Sequence, residues 1–549
     1  LRGKTLSEMS FHRDETPYRL RSEERGKSPD KLLEYAIFEM LKMMIADYAK
    51  RVEATGDDDL KDKLKFLREF RRRVTDHEIL PAATWMKFVT NEYEFAGVPL
   101  RNIGFWNVLK HFLSSEAFLL VHDGFGFLSV ISNWNAPEAF KWLLTDFSPH
   151  QRLQTIPGGL YEIVKGLEAK LKGRVSLETG HRLKALHWKG ARSAGFRLRF
   201  NVGEEERETI ADQVVLAMPP SALGRIRLFE RNRELSVVAE RNWQRLIHCS
   251  RPHRLAKIVL AYEEPWWQQT RIPGAESGRL FTDLPMRQIH YFGPKWLAEN
   301  KWTTTREAAR FSLIMVYNDS HYEAFWRTFN VHEKVYRAQG DATEEEDTLG
   351  RRPQSIADGP FGFWGPHKMR LLHAAANASA EQREDINDDK TVDIYEVRHR
   401  MEEKVREQLA ELHEYDVPMA IGGVYKDWSD DGGWHTWEPF VDVPRVKRVI
   451  IQPFQEHSSG LAVCPLTDED VDETRRVPLY VCGEAYAWEQ GWIEGALMTA
   501  ERVAATISGD RDECRTPPWF TENRKDAFYR HMYAELSRKK QAELPVDEK

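Results

Sequence analysis

The sequence predicts a mixed α/β chain, in which a helical module comes first and sheets alternating with helices follow. Three observations carry this reading. After Ser28-Pro29-Asp30, the apolar residues Leu33, Ile37, Met40, Leu41, Met44 and Tyr48 recur at helical spacing. Short apolar runs rich in β-formers come later: Val214 to Ala217, Leu255 to Leu260, Ser312 to Tyr317 and Leu479 to Cys482. The last run breaks at Gly483-Glu484, and a helical pattern of Ile493, Ala496, Leu497 and Ala500 opens just after Gly491-Trp492.

Composition excludes several classes. A chain of 549 residues has room for two to four domains. Net charge is −7 with both signs mixed, so no nucleic-acid footprint is present. Mean hydropathy is −0.58, and no apolar run approaches the ~18–20 residues of a membrane helix. The 4 cysteines are scattered without metal spacing, so neither a disulfide framework nor a zinc site is expected. No signal peptide is visible in the sequence, which opens at Leu1 rather than Met, so its original start is left open. A soluble protein is expected, and low cysteine content favours the cytoplasm over secretion.

Residues 1–27 read as a polar entry segment and 28–150 as the helical module. Ser28 is an N-cap, Pro29 takes N1 and Asp30 sits in the first turn. Gly124-Phe125-Gly126, following Phe118 to Val121, mimics a dinucleotide fingerprint. Ser129 stands where the third glycine belongs, so a helix and turn are the better reading. Residues 151–250 read as a helix through Leu171, then strands at Val175 to Leu177, Arg182 to Trp188, Phe196 to Asn201 and Val214 to Ala217. Residues 251–440 form a further unit, with an insertion at 338–392. Asp385, Asn387, Asp389, Asp393 and Glu396 fall at EF-hand loop spacing, but Lys390 replaces the required glycine, so an acidic loop before a helix is preferred. That insertion could be a surface elaboration, a lid or a subunit contact. Residues 441–510 contain a strand at Val446 to Gln452 and then the strand–glycine–helix device. Residues 511–549 are a charged tail with one helix near 523–541.

The device at 479–503 has a chemical logic. A helix N-terminus beyond a strand end points amide N–H groups and positive dipole at an anion or an electron-rich ring edge. Gly491 lets backbone approach closely, and Trp492 can wall a flat ring. Gly-Glu-Ala-Tyr at 483–486, followed by Gln-Gly-Trp-Ile-Glu-Gly-Ala at 490–496, resembles the C-terminal flavin motif of flavin-containing amine oxidases. The Gly-Trp-Ile variant is most similar to L-amino acid oxidases. Tyr18 to Ser28 resembles that group's entry to the helical domain, and Thr282-Asp283-Leu284-Pro285 with its flanks is similar as well.

The resemblance implies a Rossmann-like FAD-binding domain of the glutathione-reductase type, a mixed-sheet substrate domain and a helical domain. It implies that Gly483, Glu484, Gly491, Trp492, Ile493, Ala496, Trp428 and backbone near Leu183 hold FAD. Glu484 would bond the ribityl-phosphate part, and the amides of Trp492 and Ile493 would face the flavin N1/O2 edge. Lys257 would bind a water beside flavin N5, Tyr317 would bond a substrate carboxylate, and Trp434 and Trp492 would line the substrate pocket. On residues alone, Lys257 in Leu-Ala-Lys-Ile-Val-Leu reads first as a snorkelling strand lysine, and the match at 282–285 is what turns the reading to chemistry.

The resemblance spans roughly residues 15–510, but the N-terminal GxGxxG unit, the Arg-Gly-Gly-Arg type motif and a carboxylate-clamping arginine have no match. The expectation is the large chain of a processed L-amino acid oxidase, completed by a small chain carrying GxGxxG, with a higher oligomer of that two-chain unit. Its substrates would be an L-amino acid and O₂. An amino acid 2-monooxygenase, an amine or polyamine oxidase, and a non-catalytic binding subunit stay open. The accepted side chain is open too: aromatic walls suit apolar groups, whereas Asp427, Asp430 or Asp431 at a pocket end would select Lys or Arg.

Overall fold

The computed structural model describes residues 18–75, 93–146, 156, 159–190, 195–231, 233–270, 277–299, 312–330, 389–428, 432–457, 460–464, 475–487 and 490–509. The tail helix expected near 523–541 and most of the 338–392 insertion lie outside the described residues.

Helix α1 (Pro29–Thr55) starts as its sequence dictates. The Ser28 side chain accepts the Lys31 amide, Pro29 takes N1, and Gly56 ends the helix in the left-handed region. Helices α2 (Asp58–Thr75), α3 (Phe105–Phe112), α4 (Ser115–Gly124) and α5 (Ala136–Asp146) follow. Leu32, Met40, Leu67, Phe105 and Phe140 join them in one core. The Gly124–Gly126 pair is the end of α4 and the turn beyond it, as its helical surroundings indicated. Gly126 has φ +87, and a Cβ there would meet Phe281 Cδ1 at 2.2 Å. That glycine lets the loop settle onto the neighbouring sheet.

Helix α6 (Tyr161–Leu171) buries none of its residues. The strand expected at Val175 to Leu177 does not form: the segment pairs with no strand among the described residues, and both apolar side chains stay exposed. An extended segment becomes a strand only when its amides find partners. An antiparallel set follows, β1 (His181–Trp188), β2 (Phe196–Val202) and β3 (Glu205–Ala211). The last was not foreseen: the sequence assigned no element to 205–211, where Glu205, Glu206, Arg207 and Glu208 give no apolar alternation. It is an exposed edge strand, where charge is tolerated and blocks unwanted pairing. Then come β4 (Val214–Ala217), β5 (Arg227–Glu230), which pairs with β1, and α7 (Val237–Ile247).

The next unit opens with β6 (Ser250–His253) and β7 (Leu255–Tyr262), then β8 (Ser277–Phe281), β9 (Gln288–Phe292) and β10 (Ser312–Asp319). Helix α8 (Asp389–His413), β11 (Gly422–Asp427) and β12 (Trp434–Trp437) complete it. Five strands make one antiparallel sheet in the order β8-β9-β10-β7-β11. One face is buried: Ile258, Leu260, Ile314 and Val316 pack with Met401, Val405 and Leu409 of α8. On β7 and β10 the other face is only half buried. Asp389, Asp393 and Glu396 lie on α8, so the backbone there is helical, while Asp385 and Asn387 lie outside the described residues. Among the described residues no cluster of His, Cys, Asp and Glu could hold a metal ion.

The run Val446 to Gln452 is a helix turn, not the expected strand. Helix α9 (Val443–Val449) is capped by Asp442, whose side chain accepts the Arg445 amide, and Pro444 lies in its first turn. Its β-branched residues suggested a strand, but Val443, Val446 and Val449 are buried at helical spacing. The chain then reaches β13 (Leu479–Cys482) and α10 (Ile493–Ser508). Strand β13 pairs in parallel with β4, from Leu479 opposite Val214 to Cys482 opposite Ala217. Parallel pairing puts both carboxyl ends, at Gly483 and Met218, on the same side.

Asp319, at the end of β10, joins the helical module to the sheet. Its buried carboxylate accepts the Leu128 amide at 3.1 Å, the Ser129 amide at 3.2 Å and the Ser129 hydroxyl. Asp319→Ala strands three buried donors. We expect a loss of about 2–4 kcal/mol, read as a lower denaturant midpoint, since each orphaned buried group costs about 1–3 kcal/mol.

Candidate active site

Glu484 organises the exit from β13. Gly483 has φ 151 and ψ 161, a region essentially closed to side-chain-bearing residues. Its amide donates to Thr499 Oγ1 at 2.9 Å, which ties the strand end to α10. The Glu484 carboxylate accepts His435 Nδ1 at 2.8 Å, the His435 amide at 3.2 Å and the Gly491 amide. An ionised carboxylate offers about four lone-pair sites, so most of its capacity is spent on holding this turn. Gly491 lies at φ +84, and a Cβ there would come within 3.0 Å of Trp434 Cε3. No side chain caps α10 at Trp492, and Gly491, Trp492 and Ile493 are exposed. Ala496 is half buried in the second turn.

Trp434 is a wedge rather than an open wall. It is buried, stacks on Trp142 at 5.6 Å, meets His253 at 5.0 Å and packs under Gly491. Leu183 sits on β1 at a bulge and packs on the core around β4 and β13. His253 bonds Thr436 Oγ1 at 2.7 Å, and burial pushes its pKa down to about 3. Four residues beyond it on the same run of chain stands Lys257.

Lys257 faces the half-buried side of the five-stranded sheet, in register with Tyr317 and Lys426. Its Nζ lies 5.7 Å from the Tyr317 ring and 5.8 Å from the Trp428 ring. Neither the lysine Nζ nor the Tyr317 hydroxyl has a hydrogen-bond partner among the described residues. Burial lowers the Lys257 pKa and raises that of Tyr317. A lysine with a depressed folded pKa binds fewer protons folded than unfolded just below 10.5. It therefore costs stability at neutral pH, and the cost fades as pH rises toward that value.

The structure thus brings Lys257, Tyr317 and Trp428 together, and places Gly483, Glu484, Gly491, Trp492 and Ile493 around one turn. Asp427 faces away and pairs with Arg327 at 3.1 Å, while Asp430 and Asp431 lie outside the described residues. Missed from the sequence were Arg279, His290 and Phe281, which share the face of Tyr317 through the register of β8 and β9. Phe127 was missed too. It meets Tyr317 at 5.6 Å, held there by the Asp319 clamp. Alternation along each strand was legible, but the pairing that merges the strands into one face was not.

A parallel strand pair, a glycine cradle and an exposed, uncapped helix start suit a flat, partly anionic cofactor, and the lysine face suits redox chemistry on a bound molecule. A flavin is a cofactor of that kind. The family model described as flavin containing amine oxidoreductase matches residues 13–346. The chain belongs to the flavin-containing amine oxidoreductase family. No curated protein matches it. Among solved structures it is similar to a putrescine oxidase with redesigned cofactor binding, at 13% identity, covering 78% of this chain and 73% of that one, with a TM-score of 0.44. It is likewise similar to cyclohexylamine oxidase from Brevibacterium oxydans, at 10% identity over the same shares, with a TM-score of 0.43. Among the described residues no helix is long and apolar enough to cross a membrane.

Glu484→Ala removes the acceptor shared by His435 and Gly491. In the complex completed by the small GxGxxG chain, the expected result is flavin lost on dialysis under conditions where the unmodified complex keeps it. Equal retention would show that the turn holds without the acid.

Proposed function

We propose that this chain is the larger part of an FAD-dependent L-amino acid oxidase, completed by a second polypeptide that carries the GxGxxG unit. The observation that carries the oxidase reading is Lys257, partly buried beside Tyr317 and Trp428 and without a hydrogen-bond partner among the described residues. The resemblance at 483–496 and 282–285 supports the amino acid oxidase branch. FAD, when bound, supplies hydride acceptance from a substrate carbon and return of the electrons to O₂.

The residues of this chain bind, orient and hold charge. The Tyr317 hydroxyl donates to the substrate carboxylate, a charge-assisted bond that fixes which carbon is presented. Trp428 and Phe127 flank it and keep water from the reacting carbon. Lys257 holds a positive charge where negative charge develops and orients a water against the imino acid. Glu484 holds the Gly491 turn and α10, whose first amides would be available to the electron-rich edge of a bound flavin. The products are a 2-oxo acid, ammonia and hydrogen peroxide.

Apolar surface supports the two-chain form. Leu160 and Tyr161 are each 62% exposed, Val164 is 50% exposed, and Leu177 is 59% exposed. Strand β4 pairs only with β13 among the described residues, and Val215 on it is exposed. Such a surface fits a βαβ unit added alongside β4, which would also anchor the pyrophosphate. The chain produced alone is expected to retain no FAD. Co-production with a GxGxxG polypeptide should give a yellow complex that forms peroxide and 2-oxo acid from L-amino acids. Stoichiometric FAD in the single chain would refute the two-chain form, and an amide with CO₂ as products would point to a monooxygenase.

Lys257→Met keeps the stem and deletes the charge, so the fold should survive. In stopped-flow absorbance of the loaded enzyme, the substrate half-reaction should stay near the original rate. The O₂ half-reaction should slow by ~10²–10³, the usual cost of removing one preorganised donor. Unchanged rates in both would reduce Lys257 to a snorkelling strand residue.

A further inference from the structure

The open face of the substrate sheet carries more positive charge than an amine or a neutral amino acid needs. Lys426 stands in register with Lys257, and its Nζ is 5.7 Å from the Trp428 ring. Arg279 lies toward the other edge, on the strand that continues the same face past His290. His290 lies between Arg279 and Lys257 in their electrostatic reach. Burial and these two charges push its pKa down to about 4, so it is neutral at physiological pH.

Arg279 is held without being used up. Its guanidinium carbon lies 4.5 Å from the Phe281 ring and 5.8 Å from the Phe127 ring. These cation–ring contacts hold the guanidinium without using its N–H donors. Among the described residues that guanidinium makes no hydrogen bond or ion pair. Asp30 is the carboxylate whose charge reaches it, and the two are not close enough to form an ion pair. Phe127 touches both Arg279 and Tyr317. A substrate whose α-carboxylate meets the Tyr317 hydroxyl can therefore run its side chain along Phe127 toward the guanidinium. An apolar side chain there would desolvate a cation with no compensation. A Lys or Arg side chain would meet like charge from Arg279, Lys257 and Lys426. Asp427, the described acid that would have favoured a basic side chain, faces away and is paired with Arg327.

We infer that Arg279 is the residue that sets side-chain specificity, and that the chain takes acidic L-amino acids, glutamate or aspartate, with the distal carboxylate on the Arg279 guanidinium. This rests on the L-amino acid oxidase reading. The partner-completed, FAD-loaded enzyme is assayed for peroxide and 2-oxo acid with L-glutamate, L-aspartate, L-glutamine, L-norleucine, L-lysine and the amine cadaverine. Wild type is compared with Arg279→Gln, Arg279→Lys and Arg279→Glu, each checked by thermal midpoint. Wild type should prefer L-glutamate or L-aspartate over L-glutamine. Arg279→Gln should lose about 10- to 100-fold in kcat/KM for the acidic substrates, mostly through KM, with L-glutamine little changed. Arg279→Lys should recover part of the loss, and Arg279→Glu should move the preference to L-lysine. Equal losses for glutamate and glutamine, or no acidic preference in wild type, overturn the assignment while leaving an amino acid oxidase standing. Oxidation of cadaverine but of no amino acid overturns both.

Discussion

The hydrogen bonds to Glu484 are the constraint from which the site follows. One carboxylate accepts from His435 twice and from Gly491 once. It thereby fixes the exit of β13, the start of β12 and the turn before α10 relative to each other. Bonds to an ionised acceptor are about twice as strong as neutral ones, and strain is present to oppose them. Gly483 sits where only glycine is comfortable, and Gly491 lies against the Trp434 ring. Trp434 in turn packs on His253, four residues before Lys257. The turn that presents the helix amides and the strand that presents the lysine are thus parts of one packed unit.

The substrate sheet adds a second asymmetry. One face is packed by α8, so it needs nothing further. Among the described residues, Phe127 and the Gly126 turn reach the other face, brought there by the Asp319 clamp. Lys257, Tyr317 and Arg279 stand on that face, with Phe127 against the last two. Burial, with Arg279 and Lys257 adding to it, lowers the pKa of His290. Helix α6 carries an exposed apolar strip, and among the described residues β4 pairs only with β13.

Local signals were strong enough to be read directly from the chain. Ser28-Pro29-Asp30 can start a helix and little else, and Gly483 and Gly491 announced backbone conformations that other residues avoid. Leu255 to Leu260 and Leu479 to Cys482 are short, apolar and bounded, and both are strands. The motif at 483–496 named the family, because its residues act on one another over a short stretch of chain. The errors came where local preference met a different environment. Val446 to Gln452 is rich in β-branched residues, but Asp442 and Pro444 start a helix there. Val175 to Leu177 reads as a strand, yet strand character needs a neighbour. Glu205 to Glu208 gives no apolar alternation, yet an exposed edge accepts charge.

What tertiary structure alone decided is which distant residues share a surface. The sequence could place Lys257 and Tyr317 on two strands, each with its own alternation, while the strand that carries Arg279 was not read from it. Because side chains alternate with period two, one residue of register shift would send any of them to the opposite face. Only the pairing of Lys257 with Tyr317, of Tyr317 with Gln288 and of His290 with Arg279 puts them on one side. The sequence likewise gave Glu484 a cofactor to hold. The fold shows that its first task is to hold His435 and Gly491, residues 49 positions before it and 7 after it. Chemistry carried by neighbouring residues was written in the chain, whereas chemistry carried by facing strands had to wait for their register.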